Sequence, residues 1–213
     1  VRAGAVVSAD PVRILVIAGS LREASLNRRL ARLAASLGRS VADIEAVEFD
    51  GLAAVEPYDG DLESAGLPPG AAQLAAEVRE ADALFIATPE YNGSIPGQLK
   101  NALDWLSRPD GTSGERGLPG SPLFGMPVAV ASASTGQFGA VWARDELVKV
   151  LRTQGARAIA EPSVTIPRAA DAFADDGTLR STDQHGRLVA LVNGLADATR
   201  ALRVARARVA GAA

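Results

Sequence analysis

The segment Ala83-Leu84-Phe85-Ile86-Ala87-Thr88-Pro89-Glu90-Tyr91-Asn92-Gly93-Ser94-Ile95-Pro96-Gly97 decides the fold. An unbroken apolar run that empties into a polar, Gly- and Pro-rich turn reads as a buried parallel strand and its exit loop. A helical pattern, Gln98 to Ser107, begins directly afterwards. In open α/β sheets ligands sit where strand C-termini give way to helices. This turn offers backbone amides, an aromatic ring, a carboxamide and a hydroxyl in one short span, which suits a flat ring with heteroatoms on its rim.

The same alternation extends both ways. Upstream lie a strand at Arg13–Ala18 and a helical stripe of Leu26, Leu30, Leu33, Ala34 and Leu37 that ends at Gly38. A strand at Ile44–Phe49, a loop from Asp50 to Gly70 and a helix at Ala71–Glu80 complete that half. Downstream come a Gly- and Pro-rich excursion from Pro109 to Gly125, a strand at Val128–Ala131 and a helix from about Val141 to Thr153. A fifth strand within Ile159–Ile166, an acidic loop at Asp171–Gly177 and a last helix from about Asp183 to Arg208 close the chain. Five βα units predict an α/β three-layer sandwich, a five-stranded parallel sheet with helices on both faces. No repeat or linker divides it, so residues 12–208 read as one domain and 1–11 as an N-terminal extension.

Composition narrows the chemistry. The chain has no cysteine and one histidine, His185, which excludes disulfides, thiolate metal sites and thiol redox chemistry and disfavours a serine–histidine triad. Redox chemistry here needs a bound cofactor. A net charge of −3 gives no electrostatic case for nucleic acid or an anionic membrane. No apolar run approaches the roughly 20 residues of a span, and Val1–Pro11 lacks the regions of a signal peptide. Cytoplasmic residence is the expectation.

The turn after the first strand, Gly19-Ser20-Leu21-Arg22-Glu23-Ala24-Ser25-Leu26-Asn27, is neither a dinucleotide fingerprint nor a Walker loop. It sets two hydroxyls, a guanidinium and a carboxamide around a helix N-terminus, the donor set of a compact terminal phosphate. Arg22, Arg28 and Arg29 lie near the positive end of that helix dipole, where each cation costs about a few tenths of a kcal/mol; a bound dianion reverses the penalty. The alternative reading is a Ser25 N-cap with solvated arginines. The turn after the fourth strand, Ser132 to Gly139, is again rich in hydroxyls and glycines, or else a plain glycine turn. In a sheet ordered 2-1-3-4-5 the first, third and fourth strands are neighbours, so these turns converge on one crevice.

Three blocks carry a family resemblance: Gly19-Ser20-x-Arg22-x-x-Ser25-x-Asn27, the run from Pro89 through Lys100-Asn101-Ala102-x-Asp104-Trp105-x-Ser107-Arg108-Pro109, and the Ser132–Gly139 loop. Together they resemble the NAD(P)H-dependent FMN reductases, the flavodoxin-like group that includes bacterial chromate and quinone reductases and azoreductases. The likeness spans roughly residues 12 to 205. It implies that FMN is the cofactor and NADPH or NADH the donor. The implied reaction is a ping-pong hydride relay to quinones, azo compounds, free flavin or chromate. By the same likeness Ser20, Arg22, Ser25, Leu26 and Asn27 hold the FMN phosphate. Pro89, Glu90, Tyr91, Asn92, Gly93 and Ser94 line one side of the ring, and Ser132, Ser134, Thr135 and Gly136 its other edge. Family members are homodimers, and some pair into tetramers through an Arg–Tyr–Glu network whose positions read Trp142, Asp145 and Ser163 here. A flavodoxin-type FMN electron carrier and a non-catalytic nucleotide-binding protein are the competing classes.

Other residues carry quieter expectations. Glu90 reads as a surface or inter-subunit ion pair, and Tyr91 as a stacking ring or a cover for its turn. Trp105 reads as core or dimer contact, Lys100 and Asp104 as a solvated helix pair, and His185 as surface. Phe124, Phe138 and Trp142 read as flanking the cleft, and Arg116 as a candidate for a nucleotide 2′-phosphate.

Overall fold

The computed structural model describes residues 10–108 and 121–211. Five strands, β1 (Val12–Ala18), β2 (Ile44–Phe49), β3 (Ala83–Thr88), β4 (Pro127–Ala133) and β5 (Arg157–Ile166), form one parallel sheet in the order β2-β1-β3-β4-β5. This is the predicted architecture. The two central strands β3 and β4 are buried along their whole length, which is why they read as unbroken apolar runs.

Side chains alternate between two cores. Leu15, Ile17, Leu84, Ile86, Val128 and Val130 face α3 (Pro69–Glu80), α4 (Gly97–Leu106) and α5 (Val141–Thr153). Ile14, Val16, Phe85, Ala129 and Ala131 face α1 (Leu26–Arg39) and the long α7 (Thr182–Ala210). β5 leaves register with β4 after Ile159 and regains it at Val164. The buried Arg144 of α5 braces that bulge, donating to the carbonyl of Ala160.

Two expectations about boundaries are corrected. Gly38 does not end α1, which runs to Arg39. Its small size serves packing instead, since a Cβ there would lie 3.2 Å from that of Ala46. The Asp50–Gly70 loop also contains a 3-10 turn (Gly51–Ala54) and the short helix α2 (Gly60–Ala65), which buries no residue and so leaves no apolar period to read.

One residue pins this connection. The Glu56 carboxylate accepts the N–H groups of Gly70 and Ala71 at the head of α3, each at 3.1 Å. Its carbonyl accepts from Asn101 Nδ2 and Trp105 Nε1, both at 2.8 Å, on α4. Trp105 is thus buried core with its N–H satisfied. The N–H of Gly70 foremost holds the Glu56 carboxyl below its ordinary pKa of 4.5. The folded-state pKa therefore lies below the unfolded one, so this contact stabilises the fold above the usual carboxylate range and is lost as pH falls through the lowered value. Urea unfolding from about pH 6 to about pH 3 is expected to show a shallower acid loss for Glu56→Gln than for the unsubstituted chain; equal slopes would remove Glu56 from the account.

Candidate active site

The turns after β1, β3 and β4 meet at the C-terminal ends of their strands, as the strand order requires. Gly19 makes the first approach possible: its N–H donates to Ala87 O at 2.8 Å, and a Cβ there would sit 2.8 Å from Leu99 Cδ2. An open cleft of about 470 Å³ lies between the turns. Its walls are Ser20, Arg22, Ala24, Ser25, Leu26 and Asn27 from the first turn, Pro89, Glu90 and Tyr91 from the second, and Ala133, Ser134 and Thr135 from the third, with Ala170 beside them. Asn92, Gly93, Ser94, Ser132 and Gly136 do not line it.

At the first turn Ser25 caps α1: its Oγ accepts from the N–H groups of Asn27 and Arg28 at 3.2 and 3.4 Å. The cap and the cleft wall are thus the same residue. The three arginines separate. Arg28 faces Asp50 at 3.6 Å. Arg29 lies over the Phe173 ring, 4.7 Å from its centroid, and donates to Ala174 O at 3.4 Å. Of the three, only Arg22 faces the cleft, and its guanidinium has no side-chain partner among the described residues. The Asn27 side chain departs from expectation more sharply: it is 2% exposed and both ends of its carboxamide bond the backbone of Ala133.

The second turn is a miniature hairpin. Tyr91 and Ser94 exchange backbone hydrogen bonds at 2.9 and 3.1 Å, and Asn92 and Gly93 between them take φ of 55° and 78°. This is the Asn-Gly turn with two positive φ angles, a signal present in the sequence but not read as a hairpin. It engages the amides of Tyr91 and Ser94 with each other, so they are not free for a ligand. The Tyr91 hydroxyl reaches Ser20 Oγ at 3.4 Å, so the ring covers the gap between the first two turns.

Glu90 is turned toward α5. It makes no ion pair among the described residues; its Oε2 accepts the N–H of Ala143 at 3.2 Å. The N-cap of α5, Ala140, has φ 64° and no capping side chain, so a carboxylate from the neighbouring turn meets the positive end of that helix.

In the third turn, Ser132 Oγ is buried and donates to Gly139 O at 2.7 Å, so Ser132 braces the loop rather than facing the cleft. Ser134 Oγ accepts from Gly136 N at 3.1 Å. Phe138 and Trp142, 52% and 55% exposed, stack edge to face at 5.0 Å beside this loop. Phe124 does not flank the cleft: its ring packs where a Cβ of Gly155 would be, at the start of β5 and the opposite end of the sheet. Lys100 and Asp104 form the expected helix pair at 2.6 Å, half-buried, and Asp145 pairs with Arg144 at 2.8 Å. His185 is half-buried in the first turn of α7. Arg116 lies outside the described residues. Among those described, no His, Asp and Glu cluster could hold a metal ion and no helix is long and apolar enough to cross a membrane.

A doubly wound sheet in this order, with a polar cleft over β1, β3 and β4, defines a flavodoxin-like fold with its site at the switch point. The family model described as NADPH-dependent FMN reductase matches residues 12–171. The chain belongs to the NADPH-dependent FMN reductase family, oxidoreductases that use FMN with NAD(P)H as electron donor. It is 36% identical over 170 residues to an NAD(P)H-dependent FMN reductase of Pseudomonas aeruginosa, covering 80% of this chain and 85% of that one. It is 35% identical over 143 residues to a quinone reductase of Escherichia coli, covering 67% and 70%. The solved structure of FerB, a flavoenzyme NAD(P)H:(acceptor) oxidoreductase from Paracoccus denitrificans, matches with a TM-score of 0.75 at 30% identity, over 88% of this chain and 96% of that one.

Proposed function

We propose that this chain carries two electrons from NAD(P)H to quinones through FMN held in the cleft, and that azo compounds, free flavin and chromate are further acceptors. The observation that carries the reading is the convergence of three βα turns on one open cleft, with the Arg22 guanidinium, which has no side-chain partner among the described residues, in its wall. The residues fit the group. Arg22, Ser20 and Ser25 supply charge and hydroxyls beside the positive head of α1, as a phosphate dianion requires. Pro89, Glu90 and Tyr91 on one side and Ser134 and Thr135 on the other bound a slot for the ring, with Asn92, Gly93, Ser94 and Gly136 shaping the turns that carry them.

FMN, when bound, supplies the hydride chemistry that no side chain here can perform. The protein's work is orientation. Tyr91 closes the side of the cleft toward Ser20. Glu90 fixes the second turn against α5, while Ser132 and Ser134 hold the shape of the third. With one open cleft for both substrates, oxidised nucleotide leaves before the acceptor enters, which is the ping-pong order. A homodimer goes with this reading, supported by the exposed Phe138–Trp142 pair that follows the third turn.

The test is an anaerobic visible spectrum of the purified chain loaded with FMN, before and after one equivalent of NADPH. Rapid bleaching, reversed on adding a benzoquinone, is the expected outcome. Bound flavin that stays oxidised with NADPH and NADH alike would favour an electron carrier, and a chain that binds no FMN would defeat the reading.

A further inference from the structure

We infer that Asn27, although it stands in the phosphate turn, is a positioning residue that registers the ring-edge loop at 133–136 against the head of α1. The inference rests on the FMN reading above. Its basis is the two-point contact with Ala133: Asn27 Nδ2 donates to Ala133 O at 2.9 Å, and Asn27 Oδ1 accepts from Ala133 N at 2.9 Å. Two opposed bonds to a single residue fix the carboxamide plane as well as its distance. Asn27 is as buried as Ser25, at 2% against 5%, but both ends of its carboxamide are engaged by Ala133, whereas the Ser25 hydroxyl only accepts from the backbone and keeps its proton to donate.

The contact crosses the fold. Asn27 opens α1, behind β1, while Ala133 ends β4, and β3 lies between those strands. Beyond Ala133 the loop is held on its other flank by backbone bonds: Ser134 N to Ile166 O, Ala169 N to Ser134 O and Arg168 N to Gly136 O, each 3.0 Å. Toward α1, Asn27 is the one side-chain hydrogen-bonded tie between the first and third turns among the described residues. It therefore sets the spacing between the phosphate end of the cleft and its ring edge. Loss of the tie should be felt at the ring, not at the phosphate.

Riboflavin, which carries the ring without the phosphate, separates the two roles. Asn27→Asp keeps the side chain's shape but removes the donor to Ala133 O, and Asn27→Ser cannot span the gap. Both variants are expected to lose about tenfold in affinity for FMN and for riboflavin alike, leaving the preference between them unchanged. Saturated with FMN, they should show a shifted visible absorption and circular dichroism of the bound ring. A merely destabilising substitution would not produce that signature well below its melting temperature. Hydrogen exchange of the flavin-free protein supplies a second reading: amides in 133–139 should exchange about tenfold faster, with the β1 and β3 amides unchanged.

A loss confined to FMN, with 133–139 exchanging as before, would make Asn27 a phosphate ligand and overturn the inference. If the unsubstituted chain binds neither flavin, the FMN reading fails, and the exchange experiment still decides whether the tie holds the loop.

Discussion

Arg22→Ala is expected to weaken FMN binding about 100-fold while leaving riboflavin binding within about twofold. The guanidinium faces the cleft without a side-chain partner among the described residues, so its removal strands no buried carboxylate. The whole loss then falls on the ligand's charged end. Charge-assisted bonds from an arginine to a dianion contribute about 2–3 kcal/mol, which is the stated factor. Arg28 and Arg29 are already engaged by Asp50 and Phe173, so alanine at either should cost far less. Fluorescence titration with both flavins measures this directly. Equal losses for FMN and riboflavin would move the phosphate site away from the first turn.

Gly139→Ala is expected to destabilise the fold by about 3 kcal/mol and to lower the melting temperature by about 10 °C. Gly139 sits at φ 60°, where a Cβ would stand 2.9 Å from Ile166 N and C and from Pro167 N. Those atoms are backbone of β5 and its exit, and they cannot swing aside as a side chain can. The strain and the overlap act together. The same change displaces the carbonyl that Ser132 Oγ holds, so flavin affinity should fall with stability. Gly136→Ala is the control: its Cβ would rest 3.5 Å from Ser134 Oγ, an ordinary contact, and thermal melts should place it within about 0.5 kcal/mol of the unsubstituted chain. Similar melts for the two variants would show that the β5 backbone yields.

Much of this was legible in the residues. The runs that became β3 and β4 announced themselves because both faces of those strands are buried. The strand order went with the flavodoxin-like resemblance, and with it the convergence of three turns. What escaped was the division of labour inside those turns. Ser25, Asn27, Ser132 and Glu90 are the polar types that a ligand site needs, and equally the types that cap helices and brace loops. Their spacing cannot say which atoms they meet. Ser132 turned to Gly139 and Glu90 to Ala143, each satisfying a backbone group that burial would otherwise leave costly. Helix α2 was invisible for a different reason. It buries nothing and is held by Asp59 at its cap and by Tyr58, whose hydroxyl donates to Glu63 at 2.6 Å, and neither contact leaves a periodic trace.

The partners in the Asn27–Ala133 tie stand 106 positions apart. A chain made from its N-terminus therefore carries its phosphate turn long before the residue that orients the far wall exists. The Asn27 carboxamide has no Ala133 to bond until β4 has been made. A chain cut short of β4 therefore holds half a socket, lacking the wall at 133–135.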